Sequence, residues 1–221
     1  MRRRSHSIFA DRRAAGQELA RVLAERDLYR PLVLALPRGG VPVAYEVALA
    51  LGADLEVLVV RKIGAPRQPE LAVGAVAEGG EPMLDQRFLR SVGLTGDDLA
   101  ATIERERGEL QRRVERYRDG RELPSLAGRD VVLVDDGLAT GSTARAGLAA
   151  LRPRTPRTLL LAVPVASPRT VAALSDEADE IICLQQPEGF QAVGQFYRDF
   201  SQTDDATVLR LLAEARERPE A

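Results

Sequence analysis

Apolar residues in this chain fall into short unbroken runs, separated by stretches in which they recur every three or four positions. The runs are Leu32–Leu36, Leu55–Val60, Val131–Val134, Thr158–Val163 and Glu180–Leu184. Short, β-branched and leucine-rich runs of this kind read as strands buried on both faces, as in a parallel sheet. Between them lie helical patterns. Asp11 caps one running to about Asp27, with small or apolar positions at Ala15, Leu19, Val22 and Leu23. Val41–Leu51 is stopped by Gly52, Ser167–Asp176 is short and capped, and Asp204–Arg216 closes the chain. Strands alternating with helices predict an α/β fold: an open, mainly parallel, twisted sheet flanked by helices.

The alternation breaks after Val60. Ile63–Pro82 is punctuated by Gly64, Pro66, Pro69, Gly74, Gly79 and Gly80, and the runs Leu71–Ala77 and Pro82–Leu84 fit a small hairpin. A segment that follows a strand's C-terminal end lies over the ligand crevice, so a flap or hood is expected there. Asp85–Val92 reads as one or two helical turns. Thr95-Gly-Asp-Asp then caps a long charged helix, Asp97–Tyr117, with a narrow seam of Leu99, Ile103, Leu110, Val114 and Tyr117. The pairs Arg105/Glu109 and Glu109/Arg113 are spaced to support its exposed face. Its charge is that of a solvated helix face rather than a nucleic-acid contact. Residues 118–128 lead back to the sheet. The irregular stretch Gln185–Gln202 holds Phe190, Phe196, Tyr197 and Phe200; Phe196, Tyr197 and Phe200 are expected in the core, with stacking of one of them on a planar acceptor as the alternative. The organisation expected is one domain over 1–221, with a hood and helical insertion at 63–128 and a C-terminal segment at 185–221.

Composition narrows the classes. A chain of 221 residues with net charge −2 and 4% aromatics has no general attraction for nucleic acid or anionic membrane. Its single cysteine, Cys183, forms no internal disulfide, and a cytoplasmic setting is expected. The start MRRRSHSIFADRR is basic but leads into no apolar run, so it does not read as a secretory signal, and His6 reads as a solvated tail residue. Of the 31 Lys and Arg residues only Lys62 is lysine, which hints that a compact ammonium is wanted there.

The stretch RDVVLVDDGLATGSTARAGLAAL, Arg129–Leu151, carries the sharpest chemistry. A buried strand ends in Asp135 and Asp136. A turn bracketed by Gly137 and Gly141 follows, with Thr140, Ser142 and Thr143 where a helix begins. In an open α/β sheet, ligands bind beyond the carboxyl ends of the strands. A helix N-terminus there offers unpaired N–H groups and partial positive charge to a phosphate. The adjacent carboxylates can accept hydrogen bonds from hydroxyls or hold a metal. The glycine spacing is neither that of the dinucleotide fingerprint nor that of a P-loop.

The run VVLVDDGLATGST resembles the phosphoribosyl pyrophosphate (PRPP) signature of type I phosphoribosyltransferases. The resemblance implies that Asp135 and Asp136 take the ribose 2′ and 3′ hydroxyls. It assigns the 5′-phosphate to Gly137, Leu138, Ala139, Thr140, Gly141, Ser142 and Thr143. Pro37-Arg38-Gly39-Gly40, after the first strand, resembles that family's pyrophosphate loop, where a strained peptide is common. Arg61-Lys62 resembles the Arg-Lys pair of adenine phosphoribosyltransferases, near the pyrophosphate and hood. Catalytic roles are thus implied for Asp135, Asp136 and Lys62, and PRPP contacts for Arg38, Gly39, Gly40 and Arg61. Mg²⁺ is expected to enter with PRPP, with Asp135 or Asp136 as its candidate protein ligand. The implied activity is phosphoribosyl transfer to a nitrogenous acceptor, with a nucleobase foremost. A PRPP-binding regulator with little turnover is the alternative, and a PRPP-synthetase relative ranks last. The acceptor stays open: 6-oxopurine enzymes place an assisting aspartate where this chain has Ala139. The chain best resembles the unassigned members that carry an LPRGG loop and an RK-x-GAP segment. A homodimer is one expectation for the assembly.

Overall fold

The computed structural model describes residues 8–66 and 68–217. The expected tail histidine, His6, and most of the basic arm lie outside them. Asp11 accepts a hydrogen bond from the Ala14 N–H at 2.8 Å and so starts α1 (Arg12–Ala24). There follow β1 (Leu32–Ala35), α2 (Gly40–Leu51), β2 (Asp54–Val57), β3 (Val60–Ala65), β4 (Gln68–Ala77), β5 (Met83–Leu84), α3 (Gln86–Ser91) and α4 (Ala100–Arg118). The chain continues through β6 (Asp130–Val134), α5 (Ser142–Leu151), β7 (Thr158–Val165), α6 (Pro168–Leu174), β8 (Glu180–Gln185) and α7 (Asp205–Arg216).

The main sheet is wholly parallel, in the order β2-β1-β6-β7-β8. Its two faces explain why the apolar runs are unbroken. Val33, Ala35, Val132, Val134 and Leu160 pack with Leu19, Leu23, Val47 and Leu212 of α1, α2 and α7. Leu32, Leu34, Val131, Leu133, Leu159 and Leu161 pack on the other face, with Leu148 and Leu151 of α5. Each strand residue is buried whichever way it points. Asp130 starts the central strand as a buried anion, holding the Tyr29 N–H at 2.7 Å and the Arg157 Nε–H at 2.8 Å. Burial alone would raise its pKa, but these donors hold it below the usual carboxylate value.

One expectation needs correction. Leu55–Val60 is not a single strand of the main sheet: β2 ends at Val57, and Val60 already opens β3 of a second, antiparallel sheet in the order β3-β4-β5. Apart from Glu56, which Arg216 pairs at 3.0 Å, the segment is apolar because it is buried in both settings, and no glycine or proline marks the crossing. The expected hairpin of Leu71–Ala77 and Pro82–Leu84 is present as β4 and β5, and β3 joins it, so the hood is a three-stranded sheet that includes Arg61 and Lys62 and starts before Ile63. It sits on α5 through small side chains, Ala75 and Ala77 against Ala146 and Ala150.

Helix α4 buries Leu99, Leu110, Val114 and Tyr117 as its seam predicts. It also buries two charges that the seam did not include. Glu106 takes the guanidinium of Arg61 at 2.7 Å, and Arg118 pairs with Glu78 at the end of the hood. On the exposed side Arg112 meets Glu109, and Arg105 leans on Glu106 at 3.3 Å, in place of the expected i,i+4 pairs. No helix among the described residues is long and apolar enough to cross a membrane.

Gly108 lies inside α4 and is exposed, and an added Cβ there meets nothing within 4 Å. Gly108→Ala is expected to stabilise the protein by about 0.5–1 kcal/mol, read as a raised denaturation midpoint. A loss of stability would mean that α4 is not a regular helix at this point.

Candidate functional site

Strands β1 and β6 are neighbours in register, Ala35 opposite Val134, and the Leu36 N–H donates to the Val134 carbonyl at 2.9 Å. From β1 the chain crosses to β2 on one side of the sheet, and from β6 it crosses to β7 on the other. Such a switch point leaves a crevice at the strands' carboxyl ends. The loops that follow these two strands, Pro37–Gly40 and Asp135–Thr143, form its walls.

The walls touch. An added Cβ on Gly39 would lie 2.1 Å from Asp136 Oδ2, and one on Gly40 would lie 2.7 Å from the Val134 carbonyl. Glycine is needed here for close approach, since Gly39 has an ordinary helical backbone. The Pro37–Arg38 peptide is cis. The Arg38 guanidinium leans toward Asp205 at 3.7 Å, the same carboxylate that takes Arg116 at 2.8 Å and the Tyr117 hydroxyl at 2.7 Å. Burial, followed by this bond to Asp205, pushes the Tyr117 phenol up to about 12.

Asp135 and Asp136 are partly buried side by side, and the Asp136 N–H donates to Asp135 Oδ1 at 2.8 Å. Burial, then the charge of Asp136, raises the Asp135 carboxyl well above the usual range, while Arg12 and Lys62 pull it down. Asp136 is also raised by burial, against the opposing hydrogen bond and charge of Arg12. Lys62 thus acts on the acid pair from β3, whereas its neighbour Arg61 is turned onto Glu106 of α4. Alternate strand residues point to opposite faces, so only one of the two cations can serve each side.

The loop beyond the acids is held from behind. The buried Leu138 donates its N–H to the Val165 carbonyl at 2.9 Å, and Thr170 Oγ1 donates to the Ala139 carbonyl at 2.6 Å. Gly141 precedes α5 with φ 74°, and a Cβ there would strike Thr170 at 2.7 Å, so only glycine fits this turn. The N-cap residue of α5 is Gly141, which has no side chain to give, and the Ser142 N–H makes only a long 3.5 Å bond to Thr140 Oγ1, so an anion beside Thr140, Ser142 and Thr143 could take up the helix start. Thr140 and Ser142 hydroxyls lie 3.2 Å apart, and Thr140 and Ala139 are exposed.

The aromatic segment packs beside the acids. Phe196 and Tyr197 are buried, as expected of core residues, and Phe190 stacks on Phe196 at 5.6 Å. The Tyr197 hydroxyl donates to the Asp136 backbone carbonyl at 2.6 Å, and burial followed by the Asp136 charge raises its pKa. Sequence reasoning missed this contact and the role of Arg12, whose Nε–H donates to Asp136 Oδ2 at 2.7 Å. An arginine at the start of an amphipathic helix carries no signal of a partner more than a hundred residues away.

A parallel sheet with an acid pair and a glycine-bracketed loop into a helix at its switch point places the chain in the open α/β class. A phosphoribosyl transferase domain model matches residues 5–201, and the chain belongs to that family. Protein TT1426 of Thermus thermophilus is 48% identical, covers 94% of this chain and 98% of its own, and superposes with a TM-score of 0.80. Two Mycobacterium tuberculosis proteins, provisionally named phosphoribosyl transferases, are 47% identical over 208 residues. The chain spans about half the length of these two relatives, 47% of each. A Neisseria gonorrhoeae protein solved with bound ppGpp shares the fold, at 15% identity and a TM-score of 0.53, covering 97% of this chain and 100% of its own.

Gly39→Ala must displace the Asp136 carboxylate and disturb its pair with Arg12, because the added methyl would lie 2.1 Å from Oδ2. The expected cost is about 1–3 kcal/mol in denaturant unfolding, opposite in sign to Gly108→Ala. A neutral result would mean that the two loops do not meet.

Proposed function

We propose that the chain transfers the 5-phosphoribosyl group of PRPP to a nitrogenous acceptor, a nucleobase or related amine, with release of pyrophosphate. The observation that carries this reading is the contact of the two switch-point loops, with Asp136 Oδ2 set against Gly39. It supports a reading in which Asp136 accepts from sugar hydroxyls between two loops that each hold phosphate, which suits a ribose with phosphate groups at both ends.

In this reading Asp135 and Asp136 accept hydrogen bonds from the 2′ and 3′ hydroxyls. The 5′-phosphate lies on the N–H groups of Gly137–Thr143 and on the hydroxyls of Thr140, Ser142 and Thr143. The pyrophosphate lies on the Arg38–Gly40 loop and faces Lys62. The C1′–oxygen bond breaks as the acceptor nitrogen forms its bond to C1′, and the leaving electron pair goes to pyrophosphate. Catalysis is positioning plus stabilisation of charge on the leaving group. The hood excludes water, which would otherwise compete as nucleophile. Arg61 belongs to the framework, since its guanidinium is committed to Glu106.

Among the described residues no group of three or more His, Cys, Asp or Glu could hold a metal alone. Mg²⁺ would enter with PRPP, and Asp135 or Asp136 would hold it. Bound there, it would neutralise charge on the leaving pyrophosphate. Ala139 presents only a methyl group where an assisting acid would stand, so the acceptor nitrogen must itself be nucleophilic.

The test is pyrophosphate release from PRPP and Mg²⁺ across a panel of bases and amines. Release with one acceptor, reduced about 100-fold or more by Asp135→Asn or Asp136→Asn, is the expected result. Binding of PRPP without release on any acceptor would point to the regulator instead. If PRPP fails to raise the melting temperature, the site is for another ligand.

Lys62→Arg keeps the charge but replaces a compact ammonium with a broad fork. Calorimetry should show pyrophosphate bound several-fold more weakly. Unchanged affinity would remove Lys62 from the site.

A further inference from the structure

Asp136 is gripped by two parts of the chain that lie far from it in sequence. Arg12, the first residue of α1, donates its Nε–H to Asp136 Oδ2 at 2.7 Å and a terminal N–H to the Ser201 carbonyl at 2.7 Å. Its guanidinium carbon lies 3.9 Å from the centre of the Phe200 ring and 6.0 Å from that of Tyr197. The ion pair is largely withdrawn from water, with side-chain exposures of 12% and 14%. Tyr197 holds the backbone of the same acid through its hydroxyl. The two segments are stitched to each other: Phe9 N–H donates to the Phe196 carbonyl and Arg198 N–H to the Phe9 carbonyl, both at 2.8 Å.

We propose that Arg12 is a positioning residue for the ribose half of the ligand, acting through Asp136, and that Phe200 in turn positions Arg12. The inference rests on the reading of Asp135 and Asp136 as acceptors of ribose hydroxyls. Two adjacent carboxylates in a partly buried site repel each other, and an unheld Asp136 side chain would turn away from Asp135. A guanidinium fixed at three points removes that freedom. One point is a carboxylate, one a carbonyl, and one an aromatic face, which suits the planar fork of arginine and not the ammonium of lysine. Its Nε–H is given to Asp136 and a terminal N–H to Ser201, and the Asp136 bond is the route by which Arg12 acts on the ligand. The prediction is asymmetric. Ribose binding depends on Arg12, and metal-free pyrophosphate binding, which uses the Arg38–Gly40 wall of the crevice, does not.

Calorimetric titration with PRPP and ribose 5-phosphate in Mg²⁺, and with pyrophosphate without it, separates the possibilities. Arg12→Met is expected to weaken PRPP and ribose 5-phosphate about tenfold or more, the scale seen when a partner that orients a ligating side chain is removed. Pyrophosphate should stay within about twofold. Added guanidinium ion should restore part of the loss in Arg12→Ala. Phe200→Leu alters a partly exposed ring and so keeps the fold, and it should show the same asymmetry at smaller size. Should Arg12→Met fail to fold, the Phe200→Leu titration decides the question alone. Equal weakening of all three ligands, or of none, overturns the proposal. If the unaltered protein binds neither PRPP nor ribose 5-phosphate, the reading of the acid pair falls first and takes this inference with it.

Discussion

The lateral pairing of β1 with β6 is the constraint on which everything else depends. It joins strands nearly a hundred residues apart, and its register puts Ala35 beside Val134. Because the chain leaves these strands in opposite directions, no helix covers the gap between their ends. A slip of one residue would exchange the two faces of either strand, and Val33 and Val132 would trade places with Leu34 and Leu133 against different helices. The burial of both faces thus fixes the register, and the register brings Gly39 against Asp136. Site geometry follows from core packing at this point.

The insertion is fastened by charge as well as by the apolar packing of Ile63, Val73 and Val76 with Leu110, Val114 and Tyr117. Arg61–Glu106 and Arg118–Glu78 tie the hood to α4, and Asp205 collects Arg38, Arg116 and Tyr117 where α4 meets the start of α7. Buried ion pairs add little net stability, because desolvation offsets much of their attraction. What they give is geometry. An arginine fork accepts few arrangements, so the hood sheet and α4 are held in one relative pose even though β4 meets α5 mainly through alanines.

Much of this was legible from the residues alone. The parallel sheet followed from unbroken β-branched runs, and the switch-point loops followed from glycines placed just beyond them. The family resemblance on VVLVDDGLATGST agrees with the family match. Less was legible where tertiary context decides. The passage from β2 to β3 carries no breaker, because both ends are buried, so pattern reading fused them. Glu106 and Arg118 looked like solvated charges because a helix pattern does not say which cation or anion will cross from another element. Arg12 and Tyr197 reach Asp136 only after the chain's two ends have met, and no local spacing encodes that meeting.

Lys62 carries the chain's sole ε-amino group, and it stands exposed on the hood within electrostatic reach of Asp135. Elsewhere the chain's side-chain cations are guanidinium groups, which acylating reagents leave alone at neutral pH. An amine-directed label would therefore mark one side chain, at the mouth of the crevice. The chain's near-total preference for arginine makes it a single-address protein for lysine chemistry, with the address beside the acid pair.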